Sequence, residues 1–310
     1  MSATAAGGSG GGTAAGGAIG SSGGTAVAVG GASSGGSAGG TGRSVVWPNG
    51  ALAAVSLTYD DGLDTQLATV IPALDAQHFK GTFFLSNFEG VDHQWALPNL
   101  KDPLTPRHQA WQAALQNGHE LAGHTVNHPC NSPTKAAGYH LTDYTLDRMS
   151  AELDDSLLRL KRLGVQAPLT FAYPCQSDAI GLGPTGQDYS PLIATRFFAA
   201  RGSTVGIADP KQVVLLHVPL EDAGAQTADQ LRALVDQAIA AKGWLVLLFH
   251  GVGTDQTCPN LDFNLKGCMI NYLTTATAAH QALIDYLAQK QAQVWTAPFG
   301  TVAKTLAAQQ

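Results

Sequence analysis

Two adjacent carboxylates, Asp60 and Asp61, stand directly after an apolar segment and before a glycine. Residues 53–57 are predicted to form a buried strand, and in α/β barrels the carboxyl ends of the strands carry the active site. Successive side chains of a strand point in opposite directions, so one acid can bind a cation while the other remains free as a base. An Asp-Gly pair also begins turns and caps helices, so further residues are needed to establish a site.

A pair of histidines, His124 and His128, follows a second predicted strand at 119–123. We expect both imidazoles on one face of a helical turn, where this spacing lets them bind one metal ion. The chain has 10 histidines among 310 residues, so the spacing alone is weak evidence. The position of the pair at a strand end, like that of Asp60 and Asp61, strengthens the prediction of a metal site.

A third histidine, His250, closes the apolar strand predicted at 244–249. Burying a histidine there without a partner is costly, which favours a functional role over filling the core. The alternative is a core histidine that is hydrogen-bonded to the backbone. A fourth predicted strand, at 169–173, is followed by Pro174 and Cys175. We therefore expect the strand ends to bring two acids and three histidines to one face of a barrel.

The order of these motifs resembles that of the polysaccharide deacetylase (NodB-homology) family of carbohydrate esterases. The family's first motif, Thr-Phe-Asp-Asp-Gly, appears here as Thr-Tyr-Asp-Asp-Gly at 58–62. Its second motif contains two histidines, matched by His124 and His128, and its last is an apolar strand ending in histidine, matched by 247–250. The resemblance covers residues 45–300. It implies an α/β fold, a deformed (β/α) barrel of about seven parallel strands.

The resemblance also implies a role for each residue of these motifs. Asp61, His124 and His128 would hold a divalent metal, usually zinc. Three protein ligands leave an open position for water, as a catalytic metal requires. Asp60 would be the general base that takes the proton of the attacking water. His250 would be the general acid that protonates the leaving amine or alcohol.

The implied reaction removes acetyl groups from an acetylated polysaccharide or oligosaccharide. N-deacetylation of amino sugars, such as chitin-like or peptidoglycan glycans, and O-deacetylation of xylan both fit, because the same water attacks either carbonyl. Trp95, Trp111 and Tyr189 are candidates to stack on the sugar rings. The alternative is a catalytically weak or silent carbohydrate-binding domain on the same barrel. Retention of the base, the acid and all three ligands argues against it, because a binding domain needs no base.

The third motif departs from the family pattern. Many members have Arg-Pro-Pro-Tyr-Gly, in which the arginine orients the base, whereas residues 172–176 are Ala-Tyr-Pro-Cys-Gln. Arg201, at the end of a strand predicted at 196–200, is the candidate replacement, and the alternative is a surface arginine. The backbone N–H of Cys175 would face the oxyanion, a role that does not depend on the side chain.

A carboxylate is also expected beside His250, to orient the imidazole and raise its pKa. The strand predicted at 213–218 continues into Glu221 and Asp222, which occupy the place of the family's fourth motif. We assign this role to Asp222, with Glu221 as the alternative.

Apolar β-rich segments alternate with amphipathic ones along the chain, which indicates β/α units rather than a sandwich. The predicted strands are 53–58, 80–85, 119–123, 169–173, 196–200, 213–218, 244–249 and 292–295. The predicted helices are 64–77, 107–117, 143–163, 226–242 and 274–290.

Four cysteines allow three pairings. We favour Cys258 with Cys268 because they flank a short loop, which leaves Cys130 for Cys175 and would join two loops of the site. Four free thiols are the alternative. A further interpretation has Cys130 join His124 and His128 in a structural zinc site, but the spacing of a closed four-ligand site is absent.

Residues 1–43 consist almost entirely of Gly, Ala, Ser and Thr. Such a segment buries too little apolar area to offset its chain entropy, so a disordered tether is predicted, followed by a single catalytic domain at 44–310. The segment is similar to the spacer of an exported protein, although no leader is visible at Met1. We therefore expect a secreted, periplasmic or cell-surface protein.

The net charge of −6 and the lack of a Lys/Arg cluster argue against nucleic acid as a partner. No run of 18 apolar residues follows Trp47, so no segment is predicted to span a membrane.

Overall fold

The computed structural model describes residues 45–87, 96–133, 135–181, 186–254 and 273–309. These described residues belong to one compact unit. The predicted tether at 1–43 lies outside the described residues, as do Trp95, Cys258 and Cys268. No described helix has the length and apolar character needed to cross a membrane.

The described residues form twelve strands and seven α-helices. The strands are β1 Ala53–Asp60, β2 Thr82–Leu85, β3 Glu120–Gly123, β4 Thr170–Ala172, β5 Ala179–Ile180, β6 Gln187–Asp188, β7 Ala199–Val205, β8 Val218–Asp222, β9 Trp244–Phe249, β10 Gly251–Gly253, β11 Thr274–Ala276 and β12 Val294–Thr296. The α-helices are α1 Ile71–Ala76, α2 Pro106–Gln116, α3 Leu146–Arg162, α4 Ser190–Ala194, α5 Ala228–Ala241, α6 Thr277–Gln289 and α7 Phe299–Ala307. A π-helical segment, Gln66–Val70, precedes α1.

Seven parallel strands close into a barrel. They pair in the order β1, β2, β3, β4, β7, β8 and β9, and β9 returns to pair with β1. The strand β12 adds beside the first half of β1, where Ala53 lies opposite Val294. This arrangement confirms the predicted deformed (β/α) barrel of about seven strands.

The region around β8 corrects one predicted strand. The apolar segment predicted at 213–218 is a turn, in which the N–H of His217 donates to the carbonyl of Val214 at 2.9 Å. That turn moves the start of β8 to Val218, and β8 then runs through Asp222. The carboxyl end of the strand still carries the residues assigned from the sequence.

The side chains of the barrel strands alternate between the interior and the helical layer. Along β1, Val55, Leu57 and Tyr59 belong to a cluster shared with α1, α2, α5 and α6. Ala54 belongs to a second cluster inside the barrel. Alanines from β3, β4 and β7 join that second cluster beside Phe84, Trp244 and Phe299: Ala122, Ala172 and Ala199. These small side chains leave room inside the barrel for one long polar side chain.

The helix α7 lies at the amino ends of the barrel strands. The N–H of Phe299 donates to Thr82 Oγ1 at 2.7 Å, and the N–H of Gly300 donates to Glu120 Oε2 at 2.8 Å. Thr82 begins β2 and Glu120 begins β3. The opposite, carboxyl end of the strands is therefore the end that carries the acids and histidines.

Candidate active site

Asp60 and Asp61 separate at the carboxyl end of β1. Asp60 is the last residue of the strand, and Asp61 has a left-handed backbone with φ 73°. The following Gly62 is also left-handed, with φ 64°, and a Cβ there would collide with Ala96. This turn sends the two buried carboxylates to different partners.

His124 and His128 converge through a loop and not through the helical turn predicted from their spacing. Their rings lie with centroids 4.7 Å apart. Two residues of the loop have left-handed backbones, Thr125 with φ 60° and His128 with φ 48°. The Thr125 hydroxyl accepts the N–H of His128 at 3.0 Å. A regular helix has no such angles, so the prediction of a helical turn is wrong even though the two imidazoles meet.

The two imidazoles and Asp61 form a cluster that could hold a metal ion. His128 Nε2 lies 3.6 Å from Asp61 Oδ1, and His124 Nε2 lies 3.8 Å from the same oxygen. The Nδ1–H of His124 donates to the carbonyl of Ala172 at 2.7 Å, which leaves the lone pair of Nε2 for the cluster. Among the described residues, Asp61 Oδ2 and His124 Nε2 have no hydrogen-bond partner although both are buried.

The donor set fits a divalent cation. One atom from each of the three residues lies within 4.8 Å of the other two. Ligands at about 2.1 Å from a tetrahedral ion are about 3.4 Å apart, so the observed separations need little adjustment. Burial, assisted by the nearby His124, holds the pKa of His128 well below its usual value, so His128 is a neutral donor at neutral pH. Burial raises the pKa of Asp61, against the opposing effect of His250 and His124.

Arg201 pairs with Asp60 from inside the barrel. It lies within β7, before the strand ends, and its side chain is 1% exposed, so the alternative of a surface arginine is wrong. Nη1 donates to Asp60 Oδ1 at 2.9 Å and to Thr58 Oγ1 at 2.8 Å, while Nη2 bonds Asp60 Oδ2. The guanidinium also lies over the ring of Phe84, 4.9 Å from its centroid. The contact is bidentate, which fixes the plane of the carboxylate.

The charge of Asp60 follows from this contact. Burial would raise the pKa of Asp60, but the guanidinium of Arg201 and the imidazole of His124 together lower it to about 2. Asp60 Oδ2 also lies 3.6 Å from His124 Nε2. The carboxylate is therefore ionised at neutral pH and stands beside the Asp61–His124–His128 cluster.

His250 follows β9, and the structure does not join it to Asp222. Among the described residues, the buried Nδ1 of His250 has no hydrogen-bond partner. Asp222 lies opposite Leu248 in the sheet, and its Oδ1 accepts the N–H of Gly224 at 2.8 Å. The hydrogen bond predicted between the Asp222 carboxylate and His250 is thus not formed.

Gln66 connects the ends of β1 and β9, a link that sequence reasoning missed. Its Nε2 donates to the carbonyl of Asp60 at 2.6 Å and to that of His250 at 3.1 Å. Gln66 is completely buried and begins the π-helical segment. A polar amide on an otherwise apolar helical face was the only signal in the sequence.

A disulfide joins the histidine loop to the third-motif loop. Cys130 bonds Cys175, with their Cα atoms 5.7 Å apart. This bond confirms the predicted pairing of Cys130 with Cys175, and it excludes Cys130 as a metal ligand. Cys175 is exposed and has a left-handed backbone with φ 50°. The other predicted pair, Cys258 with Cys268, lies outside the described residues.

Two of the three aromatic residues considered for sugar stacking are core residues. Trp111 and Tyr189 are both 0% exposed. Trp111 packs against Phe83 beneath the helical layer, and the hydroxyl of Tyr189 donates to the carbonyl of Ser177 at 2.7 Å. Neither ring is available to a sugar, so that prediction is wrong for both.

Comparisons with known proteins agree with this architecture. A putative polysaccharide deacetylase from Mycobacterium smegmatis has a similar structure, with a TM-score of 0.55, 17% identity and coverage of 86% of this chain and 93% of that one. A family 4 carbohydrate esterase from Streptomyces lividans aligns with a TM-score of 0.44 and 17% identity over 79% of this chain and 91% of that one.

Sequence comparison matches residues 49–178 to the model of the family described as polysaccharide deacetylase. A gellan lyase from a Bacillus species is 22% identical over 286 residues, which is 86% of this chain. The chain spans only 10% of the length of that protein. The matched family segment contains β1 through β4, and with them both acids, both paired histidines and Cys175. Residues 49–178 thus match the polysaccharide deacetylase (NodB-homology) family model, and the barrel fold is shared with a putative polysaccharide deacetylase.

Proposed function

We propose that this chain is a metal-dependent hydrolase that removes acetyl groups from an acetylated carbohydrate polymer. The observation that carries the proposal is the Asp61–His124–His128 cluster, with the Asp60–Arg201 pair directly beside it. Two imidazole nitrogens and a buried carboxyl group suit a cation, and the ionised carboxylate of Asp60 beside them suits a base. The match of residues 49–178 to the polysaccharide deacetylase family supports the same reaction class.

The proposed mechanism divides the work among the chain's own residues. Asp61, His124 and His128 would hold a divalent ion, which supplies a Lewis acid that lowers the pKa of water. Asp60, held ionised and oriented by Arg201, accepts the proton of the attacking water. His250 then protonates the leaving amine or alcohol, and acetate departs.

The developing negative charge on the acetyl oxygen needs a donor in addition to the cation. We assign that role to the backbone N–H of Cys175, in the loop that begins beside the carbonyl of Ala172. Asp222 would orient His250 only if its carboxylate turned away from the N–H of Gly224 and towards the imidazole. Zinc is the expected metal, because two imidazoles and a carboxylate are common ligands of catalytic zinc.

The sharpest test is acetate release from a panel of substrates. Chitooligosaccharides, peptidoglycan fragments and acetylated xylan are offered to the metal-free protein, then to the same protein after addition of Zn²⁺. We expect release from at least one substrate, dependent on the metal. A metal-loaded protein that binds these glycans but releases no acetate would instead support the silent carbohydrate-binding domain. The panel also separates N-deacetylation of amino sugars from O-deacetylation of xylan.

The Cys130–Cys175 disulfide supports action in an oxidising compartment, whether secreted, periplasmic or at the cell surface. Disulfides persist in such compartments and are rare in the cytosol. The expected outcome is that the native protein, fractionated from its source cells, is recovered outside the cytosol with this bond intact. Recovery of the native protein from the cytosol with both thiols reduced would contradict the assignment.

A further inference from the structure

A buried carboxylate, Glu152, lies behind the loop that connects the two paired histidines. It belongs to α3, on the same buried face as Met149, Leu153 and Leu160. Glu152 is 9% exposed, which is unusual for a glutamate on an apolar helix face. An isolated charge in this position would be strongly unfavourable, so its hydrogen-bond partners indicate why it is there.

Among the described residues, the hydrogen-bond partners of Glu152 are donors from the histidine loop and from a tyrosine beside it. Oε1 accepts the N–H of Val126 at 3.1 Å and the N–H of Asn127 at 2.5 Å. Oε2 accepts Asn127 Nδ2 at 2.9 Å and the hydroxyl of Tyr144 at 3.2 Å. Burial and the Glu152 carboxylate raise the pKa of Tyr144, so its hydroxyl stays protonated and remains a donor. Four donors thus satisfy the two oxygens.

The 124–128 loop has an unfavourable backbone conformation, so it needs hydrogen bonds from outside the loop to hold it. Thr125 and His128 both have left-handed backbones, which side-chain-bearing residues seldom adopt unless the surroundings impose them. The N–H groups of Val126 and Asn127 lie between them and are bonded by Glu152, not by a strand or helix partner. Lys135 adds a further contact by donating from Nζ to the carbonyl of Asn127 at 2.8 Å.

We infer that Glu152 is a positioning residue that holds the 124–128 loop in its strained form and thereby sets the metal affinity of the site. The inference rests on the proposed metal site formed by Asp61, His124 and His128. Glu152 does not contact the ligand atoms itself, and it acts through the peptide groups between the two histidines. Contacts outside the ligand set orient metal ligands, and their loss typically lowers metal affinity by about 10- to 100-fold.

The chain offers a matched control in Glu120. This carboxylate likewise accepts several hydrogen bonds, here three: from Thr82 Oγ1 at 2.8 Å, Thr170 Oγ1 at 2.6 Å and the N–H of Gly300 at 2.8 Å. It lies at the amino ends of the strands, the end of the barrel opposite the site. A merely structural role would make Glu120→Gln and Glu152→Gln behave alike in every measurement.

The test measures the Kd of Zn²⁺ by competition with a chromophoric chelator in the wild-type protein and in both variants. We expect Glu152→Gln to raise the Kd by about 10- to 100-fold, while Glu120→Gln leaves it unchanged although both lower the Tm. A folded Glu152→Gln protein with wild-type Zn²⁺ affinity would overturn the inference. An equal rise in both variants would also overturn it, by showing a general effect of stability.

A second variant covers the case in which Glu152→Gln does not fold. Tyr144→Phe removes one donor and keeps the carboxylate, so a smaller rise in the Kd of Zn²⁺ is expected, and an unchanged Kd would then overturn the inference. Acetate release by the wild-type protein is measured in parallel. A wild-type protein that binds Zn²⁺ yet releases no acetate refutes the proposed function alone, whereas the ratio of the Kd values decides the role of Glu152. A wild-type protein that takes up no Zn²⁺ refutes both.

Discussion

The two adjacent acids have separate environments although they are neighbours in the chain. Asp60 faces Arg201 inside the barrel, whereas Asp61 faces His124 and His128. The left-handed backbone of Asp61 produces this divergence. Because only one of the two is bonded by a guanidinium, their proposed roles as base and ligand can be tested separately.

Replacing Asp60 by Asn should remove the base and retain the metal. We expect kcat to fall by about 10²- to 10⁴-fold, the usual contribution of a general base. Metal content, measured on the same sample by atomic absorption, should equal that of the wild-type protein. Asp61→Asn is the comparison and should lose the metal. Loss of metal from Asp60→Asn instead would show that the two roles are reversed.

Replacing Arg201 by Ala should lower both activity and stability. It leaves the buried Asp60 carboxylate without its partner, and breaking a buried ion pair in this way costs about 3–5 kcal/mol. Chemical denaturation measures that loss, and kcat should fall because the base is no longer oriented. Arg201→Lys keeps the charge without the bidentate geometry, so intermediate values are expected. Unchanged kinetics for Arg201→Ala would remove this residue from the mechanism.

Contacts between elements hold the loops of the site. Gln66, in the π-helical segment, bonds the carbonyls at the ends of β1 and β9. The Cys130–Cys175 bond joins the loops after β3 and β4. π-Helical segments are frequent at functional sites. Irregular backbone there persists only when contacts from surrounding elements hold it in place.

Replacing Gln66 by Leu should reduce kcat by about tenfold and leave KM and Zn²⁺ affinity unchanged. The substitution removes the only side-chain link between the backbones of Asp60 and His250 found among the described residues, so the base and the acid lose their fixed separation. The carbonyls of Asp60 and His250 each lose a donor, and leaving a buried polar group unsatisfied costs about 1–3 kcal/mol. Gln230→Leu, at the exposed cap of α5, is the control. A parallel loss of kcat in both variants would argue against the proposed link.

Breaking the disulfide should loosen the proposed oxyanion loop without removing the metal. Steady-state kinetics of the Cys130→Ser/Cys175→Ser variant should show a lower kcat at an unchanged Kd of Zn²⁺. The bond spans a sequence separation of 45 residues. Loop-closure entropy then predicts a loss of about 4 kcal/mol of stability. The Cys258→Ser/Cys268→Ser variant serves as control, and full activity of the first variant would disprove a role for the loop.

The packing of helices on the barrel buries a hydrogen-bonded pair, Tyr59 and His280, that the proposed mechanism does not use. The hydroxyl of Tyr59 and Nε2 of His280 lie 2.8 Å apart, between β1 and α6. Burial lowers the pKa of His280 to about 4. The folded protein therefore keeps this imidazole neutral at a pH where the unfolded chain already binds a proton.

This pair should make folding sensitive to acid. Because folding lowers the pKa of His280, the neutral imidazole stabilises the folded state fully above the unfolded pKa of about 6.5. This contribution is lost as the pH falls towards 4. The difference between the folded and unfolded pKa values corresponds to a loss of about 3 kcal/mol in the free energy of unfolding between pH 7 and pH 4. Urea denaturation of the wild-type protein and of His280→Gln over this range should show a smaller loss for the variant. Parallel curves for the two proteins would contradict the assignment.

Much of the barrel was predictable because its signals are local. The apolar periodicity located β12 and six of the seven barrel strands, with β7 starting three residues later than predicted, whereas the segment predicted as the seventh is a turn before β8. The helix α7 was missed, and the spacing of His124 and His128 suggested a helical turn where the chain forms a strained loop. Sequence spacing does not reveal backbone angles that tertiary contacts impose.

The amino-acid order alone was enough to assign both acids and all three histidines to strand ends, because each follows an apolar segment and the motifs occur in a recognisable succession. Their partners were decided by the folded barrel. Arg201 is 141 residues from Asp60, Gln66 is 184 residues from His250, and Glu152 is 26 residues from Val126. Hydrogen bonds across such separations depend on strand register and on which side chains point inward, and these are properties of the closed sheet and its packed helices.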